Sequence, residues 1–84
     1  MEYTLLYTRT AGKDIQKINV ATRKKLGLKL KKLENNPFSL SKKLSNSPIG
    51  HYRYRIGDYR IIFNIVGQTI VILRVRHRRE VYRK

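Results

Sequence analysis

The 84-residue chain has the length of one small domain, so we expect residues 1–84 to fold as a single unit around a modest core. It has no cysteine, two histidines and no apolar run long enough for a membrane span or a signal peptide, so we expect a cytoplasmic protein without disulfides, structural zinc or another cofactor. Twenty Lys and Arg against five Asp and Glu give a formal net charge of +15, which favours a polyanionic partner: RNA, DNA or a strongly acidic protein.

The N-terminal half predicts a strand followed by two helices. Glu2–Thr8 is rich in Tyr, Thr and Leu, which is typical of a strand. Thr10 is a candidate N-cap for a short helix over Ala11–Ile18. Asn19 can cap a second helix over Val20–Asn35. That helix carries an apolar stripe with helical spacing, formed by Leu26, Leu30 and Leu33. Residues 37–50 hold both prolines and four serines, which indicates a loop packed against the domain.

Residues 51–60, HYRYRIGDYR, predict a tight β-hairpin. The run YRYRI alternates apolar-bodied and cationic side chains with period two, which indicates a strand with one packed and one charged face. Gly57 followed by Asp58 suits a two-residue turn of type II′. The following strand, Tyr59–Val66, is expected to be buried on its apolar face.

The arginines of this hairpin are expected to share one face of the sheet. With a two-residue turn, Arg55 lies opposite Arg60, and Arg53 lies on the same side. Like charges directly opposite each other cost up to roughly 1 kcal/mol, which a sheet built only for stability would avoid. An anion bound between the guanidinium groups would remove that repulsion. The same parity turns three large side chains towards the core: Tyr54, Ile61 and Phe63.

Thr69–Arg76 is expected to be the last strand, and the loop before it decides which side chains face the core. A two-residue loop would turn Arg74 and Arg76 into the core, which is expensive. We therefore predict a three-residue loop, Val66–Gln68, which reverses the parity and puts Arg74 beside Arg60. The core side chains are then Val71, Leu73 and Val75, whereas Arg74, Arg76 and Arg78 join Arg60.

The expected fold is α+β: an N-terminal strand, a two-helix hairpin and a three-stranded antiparallel meander, with the helices packed on one face of the sheet. The opposite face carries clustered arginines, and the tail HRREVYRK is expected to extend it. This clustering favours a binding role over solubility alone, and guanidinium groups suit the phosphates of RNA. The candidate RNA-binding residues beside the central cluster are Arg74, Arg76, His77 and Arg79.

In the order of its elements and in two motifs, the chain resembles the RelE/ParE superfamily of bacterial and archaeal toxins, specifically the RelE branch. The most specific parts are YRYRIGDYRIIF at Tyr52–Phe63 and HRREVY at His77–Tyr82. The resemblance implies a toxin of a type II toxin-antitoxin system that cleaves mRNA on the ribosome. The implied partners are mRNA, the ribosome and an acidic cognate antitoxin that forms a hetero-oligomer with the toxin.

The resemblance also implies the chemistry, in which a 2′-hydroxyl attacks its neighbouring phosphate. Arg60 would hold the scissile phosphate, and Arg78 would neutralise or protonate the leaving 5′-oxygen. Tyr82 would orient or deprotonate the nucleophile, or stack on a base. Arg53 and Arg55 complete the implied catalytic set. The best-studied relatives have lysine at those two positions, and arginine does not lose its proton, so an electrostatic role is expected here.

Other interpretations stay open at this point. One alternative is a function like that of the ParE branch, as a non-enzymatic inhibitor of DNA gyrase; the other is an inactive homologue that only binds RNA. The implied set of Arg60, Arg78 and Tyr82 argues against the gyrase inhibitor, whereas the missing lysines leave the inactive homologue open. His77 is either a general acid or base, or a strand-end residue with a structural role.

Overall fold

The computed structural model describes residues 2–43 and 51–78. Within them, the elements in chain order are β1 (Thr4–Tyr7), α1 (Arg9–Gln16), α2 (Val20–Leu33), α3 (Pro37–Leu40), β2 (Lys42–Lys43), β3 (Tyr52–Ile56), β4 (Tyr59–Val66) and β5 (Thr69–His77). One sheet has the strand order β1-β5-β4-β3-β2. The predicted α+β class, with helices on a sheet that contains a β3–β4–β5 meander, is confirmed. No helix in the described residues is long and apolar enough to cross a membrane.

Two strand features were not predicted. β1 pairs in parallel with the N-terminal half of β5, an arrangement that needs the helices as a crossover. β2 pairs with β3 inside the stretch that was predicted to be a loop. Only Lys42 and Lys43 form β2, and a two-residue strand of lysines carries no alternating apolar pattern.

The first helix begins two residues earlier than predicted, and its N-cap is Thr8 rather than Thr10. The Oγ1 of Thr8 accepts a hydrogen bond from the backbone N–H of Ala11 at 3.1 Å. The same hydroxyl donates to the carbonyl of Ile72 at 3.1 Å, so it ties the start of α1 to β5. Thr8 therefore both ends the first strand and starts the helix, which explains why the helix leaves the sheet without an intervening loop.

The second helix agrees with its sequence pattern. Asn19 is its N-cap, because the side-chain oxygen accepts from the backbone N–H of Thr22 at 2.9 Å. The helix ends at Leu33, two residues before the predicted end. The predicted apolar stripe is buried against the sheet, and the core cluster consists of Ala11, Ile18, Leu26, Leu30, Leu33, Ile61, Phe63, Ile70, Ile72 and Val75.

The β3–β4 hairpin has the predicted register. Arg55 pairs with Arg60 and Arg53 pairs with Ile62 across a two-residue turn. Gly57 has φ +56°, a left-handed value that glycine adopts without the steric cost of a Cβ and that a turn with glycine first requires. Tyr54, Ile61 and Phe63 lie on the core side; Ile61 and Phe63 are fully buried.

The β4–β5 hairpin corrects the predicted loop and part of the predicted core. Val66 pairs with Thr69, so the turn has two residues, and Gly67 supplies the left-handed φ of +62° at its first position. Further along β5, Ile62 pairs with Arg74 and Phe63 pairs with Ile72, so Leu73 is a bulge without a partner on β4. Beyond this bulge, the odd-numbered residues of β5 face the core instead of the even-numbered ones. The core side chains of β5 are therefore Ile70, Ile72 and Val75, instead of the predicted Val71, Leu73 and Val75.

Candidate functional site

Two rows of cationic side chains cross the sheet face that lies opposite the core. In the first row, Arg60 of β4 pairs with Arg55 of β3 on one side and with Arg76 of β5 on the other. In the second row, the paired positions from β2 to β5 are Lys42, Arg53, Ile62 and Arg74. The side chains at paired positions share a face, so the predicted arginine face is present. The cross-strand partner of Arg60 on β5 is Arg76 and not Arg74, because the β4–β5 loop is one residue shorter than predicted and the bulge at Leu73 shifts the register by one more residue.

The first row places three guanidinium groups on adjacent strands. Each like-charged pair is destabilising by up to roughly 1 kcal/mol when its members lie directly opposite each other. Arg76 adds a second cost, because its Nε is buried and has no hydrogen-bond partner among the residues that the structure describes. An unsatisfied buried donor costs about 1–3 kcal/mol. A negatively charged ligand would offset both costs, so this surface is suited to binding an anion.

A pocket of about 110 Å³ opens at the β3–β4 turn, next to the first row. It is lined by three arginines and by the turn itself: Arg55, Gly57, Asp58, Tyr59, Arg60 and Arg78. The backbone N–H of Arg78 donates to the carbonyl of Asp58 at 2.7 Å, which fastens the end of β5 to the turn. The Arg78 guanidinium lies 3.8 Å from the Asp58 carboxylate, and both side chains are exposed. Such a surface pair contributes little to stability, so the backbone hydrogen bond is the contact that keeps Arg78 at the rim.

The second row contains a cation that the sequence did not predict. Lys42 lies opposite Arg53, because β2 adds one more strand to this edge of the sheet. Its neighbour Lys43 pairs with Tyr52 and so faces the other side. Residues 37–50 were expected to be a loop, and in a loop neither lysine could be assigned to a face of the sheet. The pairing of β2 with β3 is what places the two side chains on opposite faces. The only signal in the sequence was the position of the Lys-Lys pair before a strong hairpin.

Arg74 has a different role from its neighbours in the rows. Its Nε donates to Asp14 Oδ2 at 2.8 Å, and its Nη2 donates to Oδ1 at 3.2 Å. Asp14 Oδ2 also accepts from the backbone N–H of Val75 at 3.0 Å. Burial alone would raise the pKa of Asp14, but these hydrogen bonds and the charges of Arg74 and Lys17 outweigh it and lower that pKa. Asp14 thus supplies a hydrogen-bond acceptor to the edge of β5 at Val75, beyond the point where the pairing with β1 ends.

His77 lies away from the arginine face, contrary to the expectation that the tail carries it there. It pairs with Tyr59, whose ring it meets edge-on with centroids 5.0 Å apart. Because Tyr59 has the same parity as Ile61, this position favours a structural role. Two other predicted site residues, Arg79 and Tyr82, lie outside the described residues.

Comparison with known proteins adds a family match over nearly the whole chain. The family model described as "ParE toxin of type II toxin-antitoxin system, parDE" matches residues 5–82. Toxin RelE3 of Methanocaldococcus jannaschii is 32% identical over 82 residues, which are 93% of each chain. Toxin RelG of Mycobacterium tuberculosis is 32% identical over 87 residues, and the alignment covers 100% of both chains.

A solved structure is also similar. In the crystal structure of the toxin-antitoxin complex RelBE2 from Mycobacterium tuberculosis, one chain superposes with a TM-score of 0.82 at 30% identity. The alignment covers 92% of this chain and 99% of the matched chain.

Proposed function

The chain belongs to the RelE/ParE superfamily of toxins of type II toxin-antitoxin systems, and on that premise we propose that it cleaves mRNA on the ribosome. The observation that carries the proposal is the position of Arg60 between Arg55 and Arg76, beside the pocket that Arg78 also lines. Three permanent cations line this small pocket and Arg76 lies next to one of them, an arrangement that suits a phosphodiester better than it suits a protein surface or an apolar ligand.

The proposed reaction breaks one phosphodiester bond. The 2′-hydroxyl loses its proton and its oxygen forms a bond to the adjacent phosphorus, while the bond from phosphorus to the 5′-oxygen breaks. The 5′-oxygen takes up a proton from solvent, so the products end in a 2′,3′-cyclic phosphate and a 5′-hydroxyl. The phosphorane carries more charge than the starting diester. A fixed guanidinium at Arg60 stabilises that extra charge, and this differential stabilisation lowers the barrier. Arg78 at the rim is placed to neutralise the leaving oxygen.

Proton transfer needs a residue other than these arginines, since guanidinium groups do not lose a proton at neutral pH. Tyr54 is not a candidate, because its side chain lies on the core side and burial raises its pKa. Family resemblance assigns Tyr82 to this step. We therefore propose that Arg53 and Arg55 act by charge alone, and that Tyr82 orients or deprotonates the 2′-hydroxyl.

We further propose that a cognate antitoxin neutralises this toxin. The support is the similarity to a chain of the RelBE2 toxin-antitoxin complex, together with the net charge of +15. An acidic antitoxin that covers part of the arginine face would both block the RNA site and compensate the repulsion within the rows.

A second candidate function is inhibition of DNA gyrase, the activity expected if this chain functions like the ParE branch. The observation that favours it is the match of residues 5–82 to the ParE family model. The cationic rows favour RNA cleavage, because a gyrase inhibitor has no need for arginines converging on a phosphate-sized pocket.

One pair of assays separates the two functions. Purified toxin is added to a translation extract programmed with a defined mRNA, and new 5′ ends are mapped by primer extension. The same preparation is titrated into a gyrase supercoiling assay. We expect cleavage of the translated mRNA, no cleavage when initiation is blocked, and normal supercoiling. Inhibited supercoiling with intact mRNA would identify the gyrase function, and no effect in either assay would identify an inactive homologue.

A further inference from the structure

A second cationic pocket, of about 210 Å³, lies beside the one at the β3–β4 turn. It is lined by Leu40, Lys42, Arg53 and Arg55. Arg55 lines both pockets, so they adjoin each other on the same face. Residues two apart on a strand are separated by about 6.6 Å, and the two rows have this separation along β3. The spacing suits two consecutive phosphates of one nucleic-acid strand.

The cations of this second pocket are available for a ligand. Within the described residues, the side chains of Lys42, Arg53 and Arg55 form no hydrogen bond or ion pair with each other or with a carboxylate. Lys42 and Arg55 are exposed, and Arg53 is half-buried. Arg74, in contrast, shares the second row but is held by Asp14. The cationic surface of the second row therefore ends at Arg53 on its β5 side and extends to Lys42 on its β2 side.

We propose that Lys42 and Arg53 form a second phosphate subsite, which binds the nucleotide next to the scissile one. This inference rests on the proposed function, since it assumes that RNA occupies the Arg60 pocket. The RNA then crosses the strands, from Arg78 over Arg55 towards the β2 edge. Lys42 and Arg53 bind the phosphate, and Leu40 supplies an apolar contact for the base or the ribose. Lys42 is thus a binding residue that positions the substrate.

The structure offers a matched control for testing this subsite. Lys42→Met and Lys43→Met remove the same charge from adjacent residues of one strand, but only Lys42 faces the pocket. The probe is a fluorescein-labelled single-stranded RNA of about five nucleotides. Its 2′-O-methyl groups prevent the protein from cleaving it, because the 2′-oxygen can no longer attack the phosphate. We expect Lys42→Met to weaken binding by roughly two- to fivefold, the range of an exposed ionic contact. It should also reduce the slope of log affinity against log salt by about 0.7, the value for one phosphate contact on a single strand.

Lys43→Met should leave both the affinity and the salt slope at the wild-type values. Shortening the RNA by one nucleotide, from the end that occupies the second pocket, should make wild type and Lys42→Met bind equally. Shortening from the other end should preserve their difference. The end that removes the difference reports the direction of the RNA strand.

The proposal is overturned if Lys42→Met and Lys43→Met bind alike, if their difference survives shortening at both ends, or if wild type does not bind the RNA. The translation-extract assay separates this failure from failure of the proposed function. If wild type cleaves translated mRNA while the two lysine variants behave alike, the endonuclease function stands and only the second subsite is wrong. If wild type neither binds the RNA nor cleaves mRNA, both are wrong.

Discussion

Arg60 and Arg76 lie directly opposite each other on β4 and β5, and the bulge at Leu73 creates this pairing. Without the bulge, the register near the turn would continue and Arg76 would have the parity of the core residues. The skipped residue therefore turns Arg74 and Arg76 outward while it keeps Val75 inside. One local irregularity both protects the core from two charges and completes the first cationic row.

Replacing Arg76 tests whether this row is arranged for binding rather than for stability. Arg76→Met keeps an apolar stem but removes the charge that faces Arg60 and the buried Nε without a partner. We expect the free energy of unfolding to stay level or rise by about 1 kcal/mol, which corresponds to a melting temperature roughly 4–8 °C higher in a domain of this size. We expect mRNA cleavage to fall. A lower melting temperature would show that Arg76 stabilises the fold.

The Asp14–Arg74 ion pair is expected to be structural. Asp14→Ala removes the acceptor of the Val75 N–H and the partner of a partly buried guanidinium. We expect it to destabilise the protein by about 1–3 kcal/mol, because both donors lose their partner. Chemical denaturation measures this loss directly. Gln16→Ala, an exposed position on the same helix, is the control and should unfold as wild type does.

The same pair gives a pH dependence whose sign follows from the pKa of Asp14. That pKa is lower in the folded protein than its ordinary value of 3.8, so the folded state favours the carboxylate. Its contribution is complete above the ordinary value and is lost as the pH falls through the lower folded value. The stability difference between wild type and Asp14→Asn should therefore be constant from neutral pH down to about pH 5, and should shrink below about pH 4. A difference that grows on acidification would contradict this assignment.

The sequence predicted those features that depend on local patterns. The Gly57-Asp58 turn and the alternation beside it determined the β3–β4 register, and the spacing of Leu26, Leu30 and Leu33 determined the buried face of α2. The sequence did not predict the Leu73 bulge, because a three-residue loop satisfies the same parity. The position of Gly67 suits a two-residue turn, but that turn without a bulge would bury Arg74 and Arg76. Asp14 was also missed, since its partner Arg74 is 60 residues away.

The charge of the protein should control how fast it meets its antitoxin. With a net charge of +15, complementary fields steer the encounter with an acidic partner, and salt screens them. We expect the association rate constant to fall steeply between about 50 and 500 mM salt, while the dissociation rate constant changes less. Stopped-flow fluorescence with the purified pair measures both. An association rate that is indifferent to salt would contradict the electrostatic part of the partner proposal.

The central claim, that Arg60 binds the phosphate at which the RNA is cut, is tested most directly by single-turnover cleavage of ribosome-bound mRNA. Arg60→Ala is compared with wild type and with Arg23→Ala, which removes an exposed arginine from α2, and the melting temperature of each protein is measured alongside. We predict that Arg60→Ala cleaves roughly 10²–10³-fold more slowly, the usual effect of losing one preorganised donor, while it stays folded at the temperature of the assay. Arg23→Ala should cleave at the wild-type rate. Cleavage by Arg60→Ala at the wild-type rate, or a loss of activity that is explained by unfolding, would contradict the claim.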